Sequence, residues 1–130
     1  MLRGEIWWVD LDPVRGSEAN KRRPAVIVSN DRANATAVRL KRGVITVVPV
    51  TSNVSKIYPF QVPLSSETSG LTVDSKAQAE QIRSVAAERL QRRIGNADAQ
   101  RTRRFVVIER NKQMLVLAVA KKNVRRLVGE

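Results

Sequence analysis

Apolar positions along this chain come in short, dense runs separated by charged or turn-forming residues, a spacing that suits the strands of a small sheet better than long one-sided helices. Glu5 to Leu11 carries Ile6, Trp7, Trp8 and Val9 in partial alternation, and predicts a half-buried first strand. Asp12-Pro13 ends it. The following loop runs to Arg23, with Gly16 free to take a positive φ and Pro24 unable to donate inside a ladder. Ala25 to Ser29 predicts a second, more buried strand. After it, Asn30 or Asp31 offers an acceptor to the free amides of a short helical turn reaching Ala37.

Gly43 opens the β-branched run Val44-Ile45-Thr46-Val47-Val48, which predicts a central strand bounded by Pro49, with Thr51, Ser52 and Asn53 just beyond. Ile57 to Leu64 alternates, but Pro59 and Pro63 restrict it to a short edge strand. Ser65 to Gly70 reads as a turn-rich loop, and Leu71 to Val85 as one or two strands. Five or six short strands with tight loops indicate a small closed sheet or barrel. From Asn96 the pattern changes: a helix capped by Asn96 is one reading, and a hairpin around Arg110-Asn111-Lys112-Gln113 is the other, because Phe105 to Ile108 and Met114 to Ala120 are unbroken apolar runs. The expected division is a barrel domain over 1–95 and a basic tail over 96–130.

Composition narrows the chemistry. One hundred and thirty residues make one domain plus a tail. With no cysteine there is no disulfide, thiolate nucleophile or thiolate metal site, and with no histidine the commonest general base and transition-metal ligand are missing. Catalysis would therefore fall to arginine, lysine, hydroxyls and carboxylates. No apolar run approaches the roughly 20 residues of a membrane span, so a soluble, cytoplasmic protein without a membrane partner is expected. The net charge of +12 points to a polyanion, since clustered cations gain affinity by releasing counterions from nucleic acid. Residues 1–88 hold 12 basic and 9 acidic side chains, whereas 89–130 hold 12 and 3, so most of the excess lies in the tail.

Several linked motifs then share one register: Arg3-Gly4-Glu5-Ile6-Trp7, Asp10-Leu11-Asp12-Pro13, Gly16-Ser17-Glu18, Arg22-Arg23-Pro24, Val28-Ser29-Asn30-Asp31, Val48-Pro49-Val50-Thr51-Ser52-Asn53, Pro59-Phe60 and Glu80-Gln81-Ile82-Arg83. Together they resemble the MazF/PemK toxin family over about residues 3 to 95. The resemblance implies a mainly β (α+β) fold, a small SH3-like barrel of the PemK and CcdB type with short helices and a C-terminal helix. It also implies a homodimer, a cognate antitoxin, and a metal-independent endoribonuclease acting on single-stranded RNA without a cofactor. The ribose 2′-hydroxyl would attack its own phosphate, leaving a 2′,3′-cyclic phosphate and a 5′-hydroxyl.

In that family the positions matching Arg23 and Thr51 form the catalytic pair. The planar guanidinium of Arg23 suits the equatorial oxygens of the transition state, and the Thr51 hydroxyl can donate to the same phosphate. Ser17 and Glu18 resemble residues that close over RNA, Gln81 a groove residue, and Asn30, Ser52 and Asn53 residues of the groove wall. Lys56 adds a counter-charge, and Tyr58 with Phe60 either a stacking face for an unpaired base or ordinary edge-strand packing. Trp7 and Trp8 face opposite sides of one strand, so one of them is expected in the core. Two alternatives stay open: a non-enzymatic DNA gyrase poison on the same barrel, and a catalytically impaired barrel that binds RNA. Gyrase-directed toxins of this barrel end on Trp-Gly-Ile, whereas this chain ends Val128-Gly129-Glu130.

Overall fold

In a computed structural model, residues 1–11, 22–40 and 42–98 are described. The expected loop over 12–21 with Ser17 and Glu18, and the helix or hairpin beyond Asn96 with its basic tail, lie outside the described residues. Among these residues, seven strands and two α-helices follow in chain order: β1 Glu5–Asp10, β2 Arg22–Ile27, α1 Asp31–Leu40, β3 Val44–Thr51, β4 Gln61–Leu64, α2 Ser66–Ser69, β5 Ser75–Gln78, β6 Arg83–Ala86 and β7 Leu90–Asn96. The strand order is β4-β5-β3-β2-β1-β7, and β6 also pairs with β3. Every pairing is antiparallel. No described helix is long and apolar enough to cross a membrane.

The period-two alternation of these strands fills two core clusters. Ile6, Val26, Val28, Val48 and Val50 pack with Val62, Leu64 and Ala77 from the β4–β5 hairpin. Val9, Ala25, Ile27, Ile45 and Val47 pack with Ala37 of α1 and Val85 of β6. Each fully buried Ile or Val contributes about 1.5–3 kcal/mol over an exposed one, so these two layers hold β2 and β3 rigidly in the middle of the sheet.

Four details depart from the sequence reading. β3 does not stop at Pro49. It runs on to Thr51 because it changes partner there: Pro49 is the last position paired with β2, and Val50 the first paired with β5, so the proline falls at the handover between two ladders. The turn after β2 is a ten-residue helix, α1, capped by Asn30, whose Oδ1 accepts from the Ala33 amide at 2.8 Å. The edge strand is confined to Gln61–Leu64, and the expected loop after it contains the single turn α2. Finally, β7 was not anticipated. Its sequence Leu-Gln-Arg-Arg-Ile-Gly-Asn is mostly charged or polar because it is an outer strand, and its pairing with β1 is interrupted by two register shifts, so no clean alternation survives.

β7 reaches the far side of the sheet through glycine. A Cβ on Gly95 would stand 1.9 Å from the Ser69 carbonyl oxygen, and one on Gly70, which has φ +84°, would stand 2.7 Å from the Ile94 carbonyl oxygen. Only glycine lets the end of α2 lie against β7, and this contact brings the 70–75 segment beside Arg92 and Ile94.

Candidate active site

The strands deliver the two leading candidates to one place by different ladders. The β2–β3 ladder runs Ile27–Val47, Val26–Val48 and Ala25–Pro49 and stops there; Arg23 goes on pairing with Val9 of β1, and Thr51 pairs with Lys76 of β5. On the β1 side Pro24 pairs with Trp8, and Arg23 and Arg22 continue the ladder opposite Val9 and Asp10. Having no N–H, Pro24 suits the place where β2 leaves β3.

Arg23 and Thr51 both line one open cleft of about 480 Å³. Its basic groups are Arg22, Arg23 and Arg92, and its hydroxyls include Thr51, Ser52 and Thr72. Among the described residues no carboxylate lines it. Asp74 sits in the segment that forms one wall, but its Oδ1 accepts from the Ser66 amide at 2.8 Å at the start of α2. That backbone N–H, seconded by the Ser66 hydroxyl, holds the carboxyl below its ordinary pKa. The negative charge is thus tied to the helix end, and the cleft presents three guanidiniums with hydroxyl donors among them. This is the chemistry of a phosphodiester site.

Thr51 is oriented locally. The Asn53 amide donates to Thr51 Oγ1 at 3.3 Å, filling one acceptor position of the hydroxyl. A hydroxyl has two acceptor positions and one hydrogen, so this bond fixes the oxygen and leaves its hydrogen to be donated. Asn53 in turn accepts at Oδ1 from the Ser55 amide and hydroxyl, at 3.3 and 2.8 Å, which stiffens the first bend of the 52–60 loop.

Other expected site residues are dispersed. Ser52 lines the cleft beside Thr51. Lys56 stands further along the loop with its ammonium 4.8 Å from the Tyr58 ring centroid. Asn30 caps α1 and lines a separate hollow with Arg32 and Val44. Gln81 lies exposed in the 3-10 turn Ala79–Gln81, where its Oε1 accepts from Arg83 at 3.4 Å. Trp7 packs on the second core cluster and Trp8 lines the cleft.

Trp8, Arg22, Thr72, Ser75 and Arg92 also line the cleft, and the sequence reading did not place them there. Arg22 had an available signal, since its neighbour Arg23 was already singled out. Arg92 had none, because it becomes a cleft residue only through β7, where it pairs opposite Trp8.

Comparison with known proteins bears on the family and the fold. Residues 2–105 match the family model described as "PemK-like, MazF-like toxin of type II toxin-antitoxin system". The chain is 76% identical over 99 residues to the endoribonuclease MazF9 of Mycobacterium tuberculosis, spanning 76% of this chain and 84% of that protein. It is 42% identical over 83 residues to the endoribonuclease toxin MazF of Escherichia coli, spanning 64% of this chain and 66% of that one. Among solved structures it superposes on MazF from Deinococcus radiodurans with a TM-score of 0.63 at 28% identity, covering 83% of this chain and 91% of the other.

Proposed function

The chain belongs to the PemK-like, MazF-like toxin family of type II toxin–antitoxin systems, whose curated relatives are endoribonucleases, and from that membership we propose that its cleft cuts single-stranded RNA at a short sequence by attack of the ribose 2′-hydroxyl on the adjacent phosphate. One observation carries the reading: Arg23 and Thr51 line a single cleft with two further arginines and, among the described residues, no carboxylate.

The reaction follows from what those groups can do. The 2′-oxygen forms a bond to phosphorus as the bond to the 5′-oxygen breaks, one proton leaving the 2′-hydroxyl and one reaching the departing 5′-oxygen. The products are a 2′,3′-cyclic phosphate and a 5′-hydroxyl. Negative charge grows on the equatorial oxygens in the transition state, and groups already aimed at that position stabilise it without reorganising. Arg23 presents a planar pair of N–H donors to those oxygens, and Thr51 donates its hydroxyl hydrogen to one of them. Arg22 and Arg92 hold the neighbouring phosphates. With the nucleophile supplied by the substrate and the charge met by guanidiniums, the step requires no metal or cofactor.

As a type II toxin the protein is paired with an antitoxin. The proposed working form is a cytoplasmic homodimer. Ser17, Glu18, Ser52, Asn53, Lys56 and Gln81 are the proposed further RNA contacts, and Asn30 remains a wall residue only if RNA extends past the cleft toward α1.

The test is cleavage of an unstructured RNA in the presence of EDTA. Discrete fragments with 5′-hydroxyl and cyclic phosphate ends are expected. Fragments with 5′-phosphates, or cutting that begins only when a divalent metal is added, would overturn the chemistry.

A further inference from the structure

Beyond the cleft, the 52–60 loop carries an arrangement that neither the catalytic pair nor the core accounts for. Tyr58 and Phe60 stack with ring centroids 5.3 Å apart and planes 3° from parallel. Both remain open to solvent, at 41% and 45% exposure. The Lys56 ammonium lies over the Tyr58 ring. Two parallel exposed rings beside a cation match the two parts of a single-stranded nucleotide, a base that stacks and a phosphate that pairs.

Single exposed aromatics are common and call for no explanation. This pair differs because buried side chains hold its loop. Lys76 is 7% exposed, and its Nζ donates to the Lys56 carbonyl oxygen at 2.5 Å. An ammonium removed from water is costly unless it is bonded, so its presence under a solvent-exposed loop calls for a function of the loop. Gln61, 3% exposed, accepts the Tyr58 amide at Oε1 at 3.0 Å and donates through Nε2 to Glu80 at 2.9 Å. Lys76 is also the β5 residue that pairs with Thr51 in the ladder. One residue therefore pairs with Thr51 in the ladder and holds the aromatic loop by its side chain, which sets the spacing between the two.

We propose that Tyr58 and Phe60, with Lys56, form a docking subsite for an unpaired nucleobase flanking the scissile phosphate, and that Lys76 is the positioning residue that fixes this subsite relative to Thr51. The inference rests on the RNA-cleaving reading and adds to it a base-recognition site outside the cleft. The base extends the parallel stack as a third ring, and its phosphate meets Lys56.

The experiment measures binding of short single-stranded RNAs carrying 2′-O-methyl at every ribose, so that they bind uncut, with each base in turn replaced by an abasic ribose. With the unaltered full chain, one abasic position is expected to weaken binding about tenfold. The Tyr58→Ala, Phe60→Ala double variant should bind the intact strand about tenfold more weakly and lose nothing further at that position. Circular dichroism should show its fold retained, since both rings are exposed. On cleavable RNA, Lys76→Met should raise KM by a comparable factor with kcat unchanged, and Lys76→Arg, which keeps a donor, should restore KM. A double variant that binds intact RNA as tightly as the parent, or keeps the full abasic penalty, overturns the proposal. So does one that keeps RNA affinity but loses affinity for an antitoxin, which would assign the stack to protein contact. If the unaltered chain cuts no RNA, the catalytic reading falls, while the abasic scan, which requires no cutting, still decides the subsite.

Discussion

The cleft beside Arg23 and Thr51 and the shallower hollow against α1 enclose about 480 and 570 Å³, and both are edged by arginines. They differ in what their polar groups are doing. In the hollow, Thr36 donates its hydroxyl to the Arg32 carbonyl at 2.9 Å and Asn30 caps the helix, while Ala33, Ala37, Leu40 and Val44 supply an apolar lining. In the cleft, Thr51 has its oxygen fixed by a backbone amide and its hydrogen left to donate, and Asp74, between the lining residues Val73 and Ser75, is turned to the start of α2. The hollow is committed to holding a helix. The cleft presents donors to something outside the protein, so the direction of hydrogen bonds separates the two where size does not.

The strongest way to break this contrast is Arg23→Ala. Removing the guanidinium from the phosphate should lower kcat by about a hundredfold to a thousandfold, the scale of losing one preorganised charge-stabilising donor, with the melting temperature nearly unchanged because the side chain is exposed. Single-turnover cleavage beside a thermal melt checks it. Thr51→Val keeps the β-branched shape that suits β3 and deletes only the hydroxyl, so a smaller loss of about tenfold to a hundredfold is expected. Cleavage by both variants at the parent rate would remove the cleft from the chemistry.

Arg92→Ala sharpens the picture rather than breaking it. Arg92 is proposed to hold a neighbouring phosphate, so the variant should weaken RNA binding with little change in kcat. The slope of log affinity against log salt should fall by about 0.7, the value for one phosphate contact on a single strand. Equilibrium binding across a salt series reads this directly. An unchanged slope would remove Arg92 from the phosphate path.

The same contrast explains what the sequence disclosed. Arg23 and Thr51 were legible because each sits at the end of a β-branched strand that announces itself, and because the family motif surrounds both. The two core layers were legible for a similar reason, Ile6, Val26, Val48 and their neighbours alternating as a pleat requires. Arg92 was hidden because β7 is an outer strand whose arginines face solvent and whose pairing is broken by two register shifts. Lys76 was hidden because nothing in a lysine's letter says that its ammonium will be buried under a loop twenty residues away. The continuation of β3 through Pro49 was hidden because the proline's missing donor matters only relative to a partner, and the partner changes there.

On the hollow, Asn30→Ala removes the cap from α1 and should cost about 1 kcal/mol of stability. Cleavage per folded molecule should stay at the parent rate, because Asn30 faces α1 and does not line the cleft. Chemical denaturation and single-turnover cleavage on the same preparation separate the two. A normal stability with slowed cleavage would mean that RNA reaches the helix.

The smallest effect belongs to Asp74, and it tests why the cleft stays positive. The Ser66 amide and hydroxyl stabilise the ionised carboxyl, so its folded pKa lies below the ordinary 3.8. A depressed carboxyl pKa contributes stability that is complete above the unfolded value and is lost as the pH falls through the folded one. Unfolding measured from pH 5 downward should therefore show a shallow loss beginning near pH 4, and Asp74→Asn should remove that part of the slope. Asparagine keeps an oxygen to accept from the Ser66 amide, so α2 should persist and cleavage at neutral pH should be unaltered. A carbon-detected NMR titration in which Asp74 titrates at or above its ordinary value would mean that the carboxylate is not held at the helix end, leaving its charge to oppose a phosphate in the cleft beside it.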